Sequence, residues 1–302
     1  MTATLTDFHY GAVTPVVSYL MACMGSALGL RCTVRSMRRG ALQSRRIGWL
    51  SLGAVSLGCG IWTMHFVAMI GFSVNGSVVE YDTRLTLLSL AVAIVVVAVG
   101  VFLVGYLGAR PAVLGTAGLV TGLGVAAMHY IGMAAMDAGG TIRYDTAAVV
   151  LSVLIAVVAA TAALWAAVSV RGLWASLGAS LVMGVAVTGM HYTGMAGVSV
   201  HLDHAGTSSQ SSVGLMSFLL AMVAGPVAVL VLAAVIVMFD PEMVLGNDEQ
   251  PRRARPAAEG LTPGGFAPEG FTPEGFTPGG VTGGGYAPEQ YPAPPPHRYE
   301  GP

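Results

Sequence analysis

Met190-His191-Tyr192-Thr193-Gly194-Met195 has two near-copies earlier in the chain, Met128-His129-Tyr130-Ile131-Gly132-Met133 and Met64-His65-Phe66-Val67-Ala68-Met69. The agreement runs upstream without a gap, because Gly58-Cys59-Gly60, Gly122-Leu123-Gly124 and Gly184-Val185-Ala186 each precede Met-His by the same distance. The pattern G-x-[GA]-x-x-x-M-H-[FY]-x-[GA]-M therefore recurs at spacings of 64 and 62 residues. That is the length of a helix pair with its loops and marks an internal triplication. Each copy stands near the end of a long apolar segment, so each unit delivers one imidazole at an equivalent depth.

The surrounding composition fixes the solvent. Hydrophobic residues make up 54% of the 302 residues and charged residues 10%, and the mean hydropathy is +0.71. These values belong to polytopic membrane proteins and exclude a water-soluble domain. Every basic residue is arginine, and no basic stretch with interleaved aromatics suggests a nucleic-acid partner. Cys23, Cys32 and Cys59 fall in or at the end of apolar segments and read as buried thiols. The N-terminus has Asp7 and no basic region before its first apolar stretch, which argues against a cleaved signal peptide.

A span needs about 20 apolar residues, and seven stretches qualify, at 12–32, 47–72, 85–108, 112–136, 147–170, 173–198 and 213–239. The expected fold is an all-α polytopic membrane protein of seven transmembrane helices, three repeated helix pairs plus one, over residues 1–242. Arg31, Arg35, Arg38, Arg39, Arg45 and Arg46 crowd the first connection, and Arg110 and Arg171 mark the third and fifth. The positive-inside rule places these connections and the C-terminus in the cytoplasm, and the N-terminus outside. Spans 2, 4 and 6 then run outward and carry their histidines in the outer leaflet, with His65 about 7 residues, or roughly 10 Å, from the end of its span.

Gly58, Gly122 and Gly184 precede their motif histidines by two helical turns and share their face, and small residues let membrane helices approach closely. An inner ring of spans 2, 4 and 6 with pseudo-threefold symmetry follows, with the Val/Ala/Leu/Ile-rich spans 1, 3, 5 and 7 outside it. Asp82 in Glu80-Tyr81-Asp82-Thr83 and Asp145 in Arg143-Tyr144-Asp145-Thr146 are expected N-caps of spans 3 and 5, with delivery of ions to the site as the other reading. The third outer loop has His201-Leu202-Asp203-His204 instead, a solvated polar loop or a place to pick up metal.

Ionisable groups inside a bilayer are costly and mostly functional. Three histidines, each with methionines, therefore point to a metal or cofactor site; packing histidines that bridge helices are the bland reading. Met69, Met133 and Met195 follow their histidines by four residues and share their helical face, whereas Met64, Met128 and Met190 lie about 100° around. The later set is the better co-ligand. Imidazole and thioether without carboxylate make a soft, neutral set that suits Cu(I) better than Mg²⁺, Ca²⁺ or Zn²⁺. A monovalent ion also costs less to desolvate in a bilayer. Three histidines from three helices leave an open position for O₂, CO or NO.

The triplicated word on alternate spans resembles the bacterial MHYT-domain family of integral membrane sensors, over about residues 10–240. The resemblance implies copper binding through His65, His129 and His191 with their flanking methionines, and sensing of O₂, CO or NO. The first copy departs from the family word at Phe66 and Ala68. Family members often carry a cyclic-dinucleotide cyclase or phosphodiesterase, a kinase or a DNA-binding output, in place of which this sequence has a repetitive segment. From Gly260 a five-residue Pro/Gly unit repeats to Glu289, so residues 243–302 read as a disordered cytoplasmic tail able to engage a signalling partner. Thr262, Thr272 and Thr277 precede prolines within it and are candidate phosphorylation sites beside the plain linker reading. The expected function is a copper-containing signalling sensor rather than an enzyme. A copper permease and a membrane haem protein, with axial His/His or His/Met pairs, are the alternatives.

Overall fold

The computed structural model describes residues 5–6, 11–37, 43–74, 79–170, 172–202 and 212–240. The proposed tail with its threonines lies outside the described residues, as do Asp203, His204, Arg38, Arg39 and Arg171. Seven helices are long and apolar enough to cross a membrane: α1 (Val13–Ser36), α2 (Gln43–Ile70), α3 (Thr83–Leu107), α4 (Pro111–Ala134), α5 (Thr146–Ser169), α6 (Leu173–Ala196) and α7 (Ser212–Met238). The protein is an all-α polytopic membrane protein. Pro111 opens α4, where its missing N–H costs no helical bond. Gly108, at φ 79°, turns the chain out of α3 in a conformation other residues avoid.

Among the described residues, six short strands define the repeat more sharply than the helices do. They are β1 (Leu5–Thr6), β2 (Ser73–Val74), β3 (Glu80–Tyr81), β4 (Met136–Asp137), β5 (Gly140–Tyr144) and β6 (Val198–Leu202), paired antiparallel as β1 with β2, β3 with β4, and β5 with β6. Each unit is thus strand, helix, helix, strand, closed by its own strand pair. In units 2 and 3 the closure has a second bond of identical kind. The Asp82 N–H donates to Ala135 O at 2.8 Å, and the Asp145 N–H to Gly197 O at 2.8 Å. The same two aspartates cap their helices: Asp82 Oδ1 accepts from the Leu85 N–H at 2.8 Å and Asp145 Oδ1 from the Ala148 N–H at 2.9 Å. The expected N-caps are present. In the third unit, which lacks the Tyr-Asp-Thr word after its motif, His201 belongs to β6, opposite Thr141.

The helices form a ring in chain order from α1 to α6, with α6 returning to α1 and α7 outside against α1 and α2. This corrects the expected inner ring of spans 2, 4 and 6. Gly58, Gly122 and Gly184 do permit close approach, but to odd-numbered neighbours. A Cβ at Gly58 would fall 2.8 Å from Ile94 Cα on α3, and at Gly122 and Gly184 it would run into Val157 of α5 and Cys23 of α1. At Gly58 and Gly122 the even helix seats on the backbone of its odd neighbour, and at Gly184 on the Cys23 and Tyr19 side chains of α1, while α2 and α4, and α4 and α6, meet through the imidazoles of His65 and His129. α1 and α2 also cross closely, where a Cβ at Gly25 would stand 2.6 Å from Gly60 Cα.

The threefold pattern is broken on the outside. In its most apolar stretch α2 is 89% buried, against 44% for α4 and 33% for α6, because α7 covers it. The uniform apolar helices α3 and α5 turn residues such as Val95, Val99 and Val158 outward to lipid. Cys23, Cys32 and Cys59 are buried free thiols. At the end opposite the strands, Arg35 Nε lies 2.6 Å from Asp240 Oδ2 and its guanidinium stands over Trp49 at 5.8 Å. Arg46 donates to the Gly105 carbonyl in the last turn of α3 and lies over the Tyr106 ring at 4.6 Å, a favourable place for a cation.

Candidate metal centre

His65, His129 and His191 each stand five residues before the last residue of α2, α4 and α6, about 7.5 Å along the axis. This is slightly closer to the helix ends than the roughly 10 Å expected for His65. Equivalent depth on three helices brings the side chains to one point. The Nδ1 atoms form a triangle with edges of 3.1 Å (His65 to His191), 3.2 Å (His129 to His65) and 3.3 Å (His191 to His129). All three residues are 1% exposed. Their rings stand nearly perpendicular to one another, with centroids 4.9 to 5.1 Å apart, like the blades of a propeller.

This triangle contains a conflict that imidazoles alone do not resolve. A neutral ring nitrogen either carries a proton and donates or presents a lone pair and accepts. Among three mutually adjacent nitrogens at least two are alike, so at least one edge sets donor against donor or lone pair against lone pair. If all three Nδ1 atoms offer lone pairs, each Nε2 carries the proton. His65 Nε2 and His129 Nε2 are buried without a hydrogen-bond partner, which costs about 1–3 kcal/mol for each such group. A packing histidine would be expected to find a partner instead.

Two glycines admit these rings. A Cβ at Gly132 would fall 2.5 Å from His65 Nε2, and one at Gly194 would fall 2.7 Å from His129 Nε2. The His65 and His129 imidazoles therefore sit on the motif glycine of the next unit; in the first unit that position is Ala68, itself buried. The sequence signal was the small residue three positions after each histidine, a role first assigned to the upstream glycines instead.

The two methionine sets separate. Met69, Met133 and Met195 gather in one apolar cluster with Phe72, Met136, Val198 and Val200 at the strand end. Met128 and Met190 belong to the transmembrane core, and Met64 is fully buried. Aromatic neighbours steady the ring positions. Phe66 packs on Tyr81 at 6.1 Å and Tyr130 on Tyr144 at 5.6 Å, joining the first and second motifs to the next unit's Tyr-Asp-Thr word. Burial pushes both the Tyr81 and Tyr144 phenols up. Tyr130 Oη and Ser152 Oγ are hydrogen-bonded at 2.7 Å, and the Trp62 indole N–H donates to Ser89 Oγ at 2.9 Å. Asp82 and Asp145 act as caps in the structure, and no described carboxylate joins the histidine cluster.

Three strand-closed helix pairs, each contributing one buried histidine to a common point, define a polytopic membrane protein with a three-histidine centre. A family model described as the MHYT "Bacterial signalling protein N terminal repeat" matches residues 58–117 and 122–180, so the chain carries MHYT repeats over these two segments. It is 41% identical over 193 residues to the bifunctional diguanylate cyclase/cyclic di-GMP phosphodiesterase MucR of Pseudomonas aeruginosa, a match covering 62% of this chain and 28% of that protein. Identity to the cyclic di-GMP phosphodiesterase NbdA of the same organism is 37% over 203 residues, covering 64% and 25%. The signaling protein YkoW of Bacillus subtilis is 31% identical over 215 residues, covering 68% and 26%. The matches thus span about a quarter of the length of these relatives. No solved structure matches the chain.

Proposed function

We propose that this protein is a membrane-embedded signalling sensor that binds copper, as Cu(I), through His65, His129 and His191 and responds to O₂, CO or NO, or to the redox state of the metal. The Nδ1 triangle carries this reading. A cation at its centre accepts all three lone pairs and removes the conflict. The centre lies about 1.8 Å from each nitrogen, close to the roughly 2.0 Å of a metal–imidazole bond, so His65, His129 and His191 would hold an ion between them. Such a copper ion supplies an open coordination position to a small ligand. Met69, Met133 and Met195 remain the preferred thioether donors, since they cluster together on one side of the histidines. Met64, Met128 and Met190 are secondary.

The alternatives fit less well. Nitrogens 3.1 to 3.3 Å apart leave no gap for a macrocycle between axial ligands. A permease needs a path, and the strand side of the centre is closed by the methionine cluster. Residues 1–242 form the sensing module in this reading, and 243–302 a cytoplasmic tail that engages a signalling partner. The matched relatives whose names describe cyclic di-GMP turnover support a signalling role, and the part of them matched here supports a sensor rather than an enzyme.

The arginine-rich end of α2 faces the cytoplasm and the histidines lie in the outer leaflet. A maleimide that does not cross membranes should label Arg143→Cys and not Gln43→Cys in intact cells; the reverse pattern would invert the orientation. Metal analysis and an absorption spectrum of the purified protein test the centre itself. The reading expects about one copper per chain at the triangle and a spectral change on adding CO or NO to the reduced form. A Soret band, or protein with no copper after loading, would reject it.

A further inference from the structure

A cavity of about 50 Å³ lies immediately behind the histidine centre. Its walls include the turns of α2, α4 and α6 that precede the histidines, represented by Leu57, Val125 and Met190, and α3 and α5 complete it. The lining residues on α2, α3 and α4 are buried, whereas Ala159, Ala160 and Ala163 of α5 and Val187 of α6 are half-buried. The opening is therefore between α5 and α6, toward lipid. Small alanine side chains on α5 leave the space.

The lining is hydrocarbon and thioether except for Thr121, whose hydroxyl is already directed to the Val96 carbonyl at 3.4 Å. A buried water needs about 2–4 polar partners, so a cavity of this chemistry stays dry although it exceeds the roughly 10–15 Å³ one water requires. It is far below the roughly 300 Å³ of a drug-sized pocket. Molecules of matching size and polarity are apolar diatomics and noble gases, which dissolve in the bilayer onto which the cavity opens.

We propose that this cavity is a gas-binding site, entered from lipid between α5 and α6, that holds an apolar diatomic molecule against Met190 beside His191. It rests on the copper-sensor reading for its purpose, giving the centre's ligand a store and an approach, but its occupancy needs no metal. Xenon is the probe, applied under pressure to chelator-treated protein in nanodiscs with labelled methionine methyls. The Met183 and Met190 methyls, both on the cavity wall, should shift saturably. Met238, 73% exposed on α7, should show only the linear drift of gas dissolving in lipid. Ala160→Phe should abolish the saturable shifts, and Ala159→Leu serves as a second filling variant if the first does not insert. Linear drift at Met183 and Met190, or saturable shifts that survive filling, would overturn the proposal. Saturation at Met183 without Met190 would overturn the link to the centre. Failure of the copper reading would show separately, as wild-type protein that loads no copper while its xenon shifts are intact.

Discussion

The two ends of the helix bundle follow different rules. At the strand end the three units repeat one another: a strand pair closes each, a histidine stands five residues from each helix end, and the glycines of units 2 and 3 receive a neighbour's ring. At the arginine end no such repetition is found among the described residues. One ion pair joins Arg35 of α1 to Asp240 beyond α7, and one arginine of α2 reaches the last turn of α3. A requirement common to all three units, such as convergence on one point, keeps the copies alike. Individual contacts suffice where the units only need to be held together. The strand end should therefore control metal content, and the arginine end stability alone.

The largest effect that tests this division is on metal. His65→Ala, His129→Ala and His191→Ala should each lower copper per chain severely, on the order of tenfold or more for loss of one strong donor from a set of three, in protein that elutes as a single species. Met69→Leu, Met133→Leu and Met195→Leu should have smaller effects, yet larger than Met64→Leu, Met128→Leu and Met190→Leu. Unchanged copper in all three histidine variants would return these residues to packing. A stronger effect from the earlier methionines would keep the site and reject the assignment by helical face.

Asp240→Ala should act at the other end. It takes the carboxylate from the Arg35 guanidinium in a pair whose side chains are 12% and 7% exposed, and breaking a buried pair from one side costs about 3–5 kcal/mol. Thermal unfolding in detergent should fall accordingly while copper per folded chain holds at the wild-type value. Loss of copper from folded Asp240→Ala protein would show that the two ends are coupled.

Gly132→Ala and Gly194→Ala sharpen the comparison, since the added methyl meets an imidazole directly. Overpacking of this kind costs about 1–3 kcal/mol, and copper content should fall because His65 or His129 must move. Gly115→Ala and Gly178→Ala, where a Cβ meets nothing within 4 Å, should be neutral or slightly stabilising in their helices. Equal behaviour of the two pairs would remove the glycines from the site.

Much of this was legible before folding, because a bilayer makes apolar length a direct measure of a span and triplication makes each copy a check on the others. The seven helices, the meeting of three histidines and the two aspartate caps all follow from local pattern. The ring order did not. Gly58, Gly122 and Gly184 announce close approach without naming the partner, and the partner is whichever helix the short connections place alongside. Gly132 and Gly194 were hidden for a related reason: a small residue three positions after a histidine has meaning only when another unit's ring is known to reach it. The strand pairs were invisible, since two to five residues carry no periodicity to read.

The smallest expected effect concerns the caps, and it separates two roles for the same atoms. Asp82 and Asp145 each give one carboxylate oxygen to a helix N-terminus and one backbone N–H to the residue that ends the motif helix of the same unit, Ala135 after α4 and Gly197 after α6. Only the side-chain bond is lost on mutation to alanine, at a cost of about 0.5–2 kcal/mol. Asparagine keeps a suitable acceptor and should restore most of that stability. If the aspartates also guide copper toward the histidines, their charge matters, and asparagine would recover stability while copper loading stayed slow. A cap alone predicts that Asp82→Asn and Asp145→Asn load copper at the wild-type rate. Because neither carboxylate belongs to the histidine cluster and each is engaged at its own helix start, the expected result is normal loading in the asparagine variants. Slow loading in asparagine variants of wild-type stability would assign the strand end a second function in addition to holding the three units together.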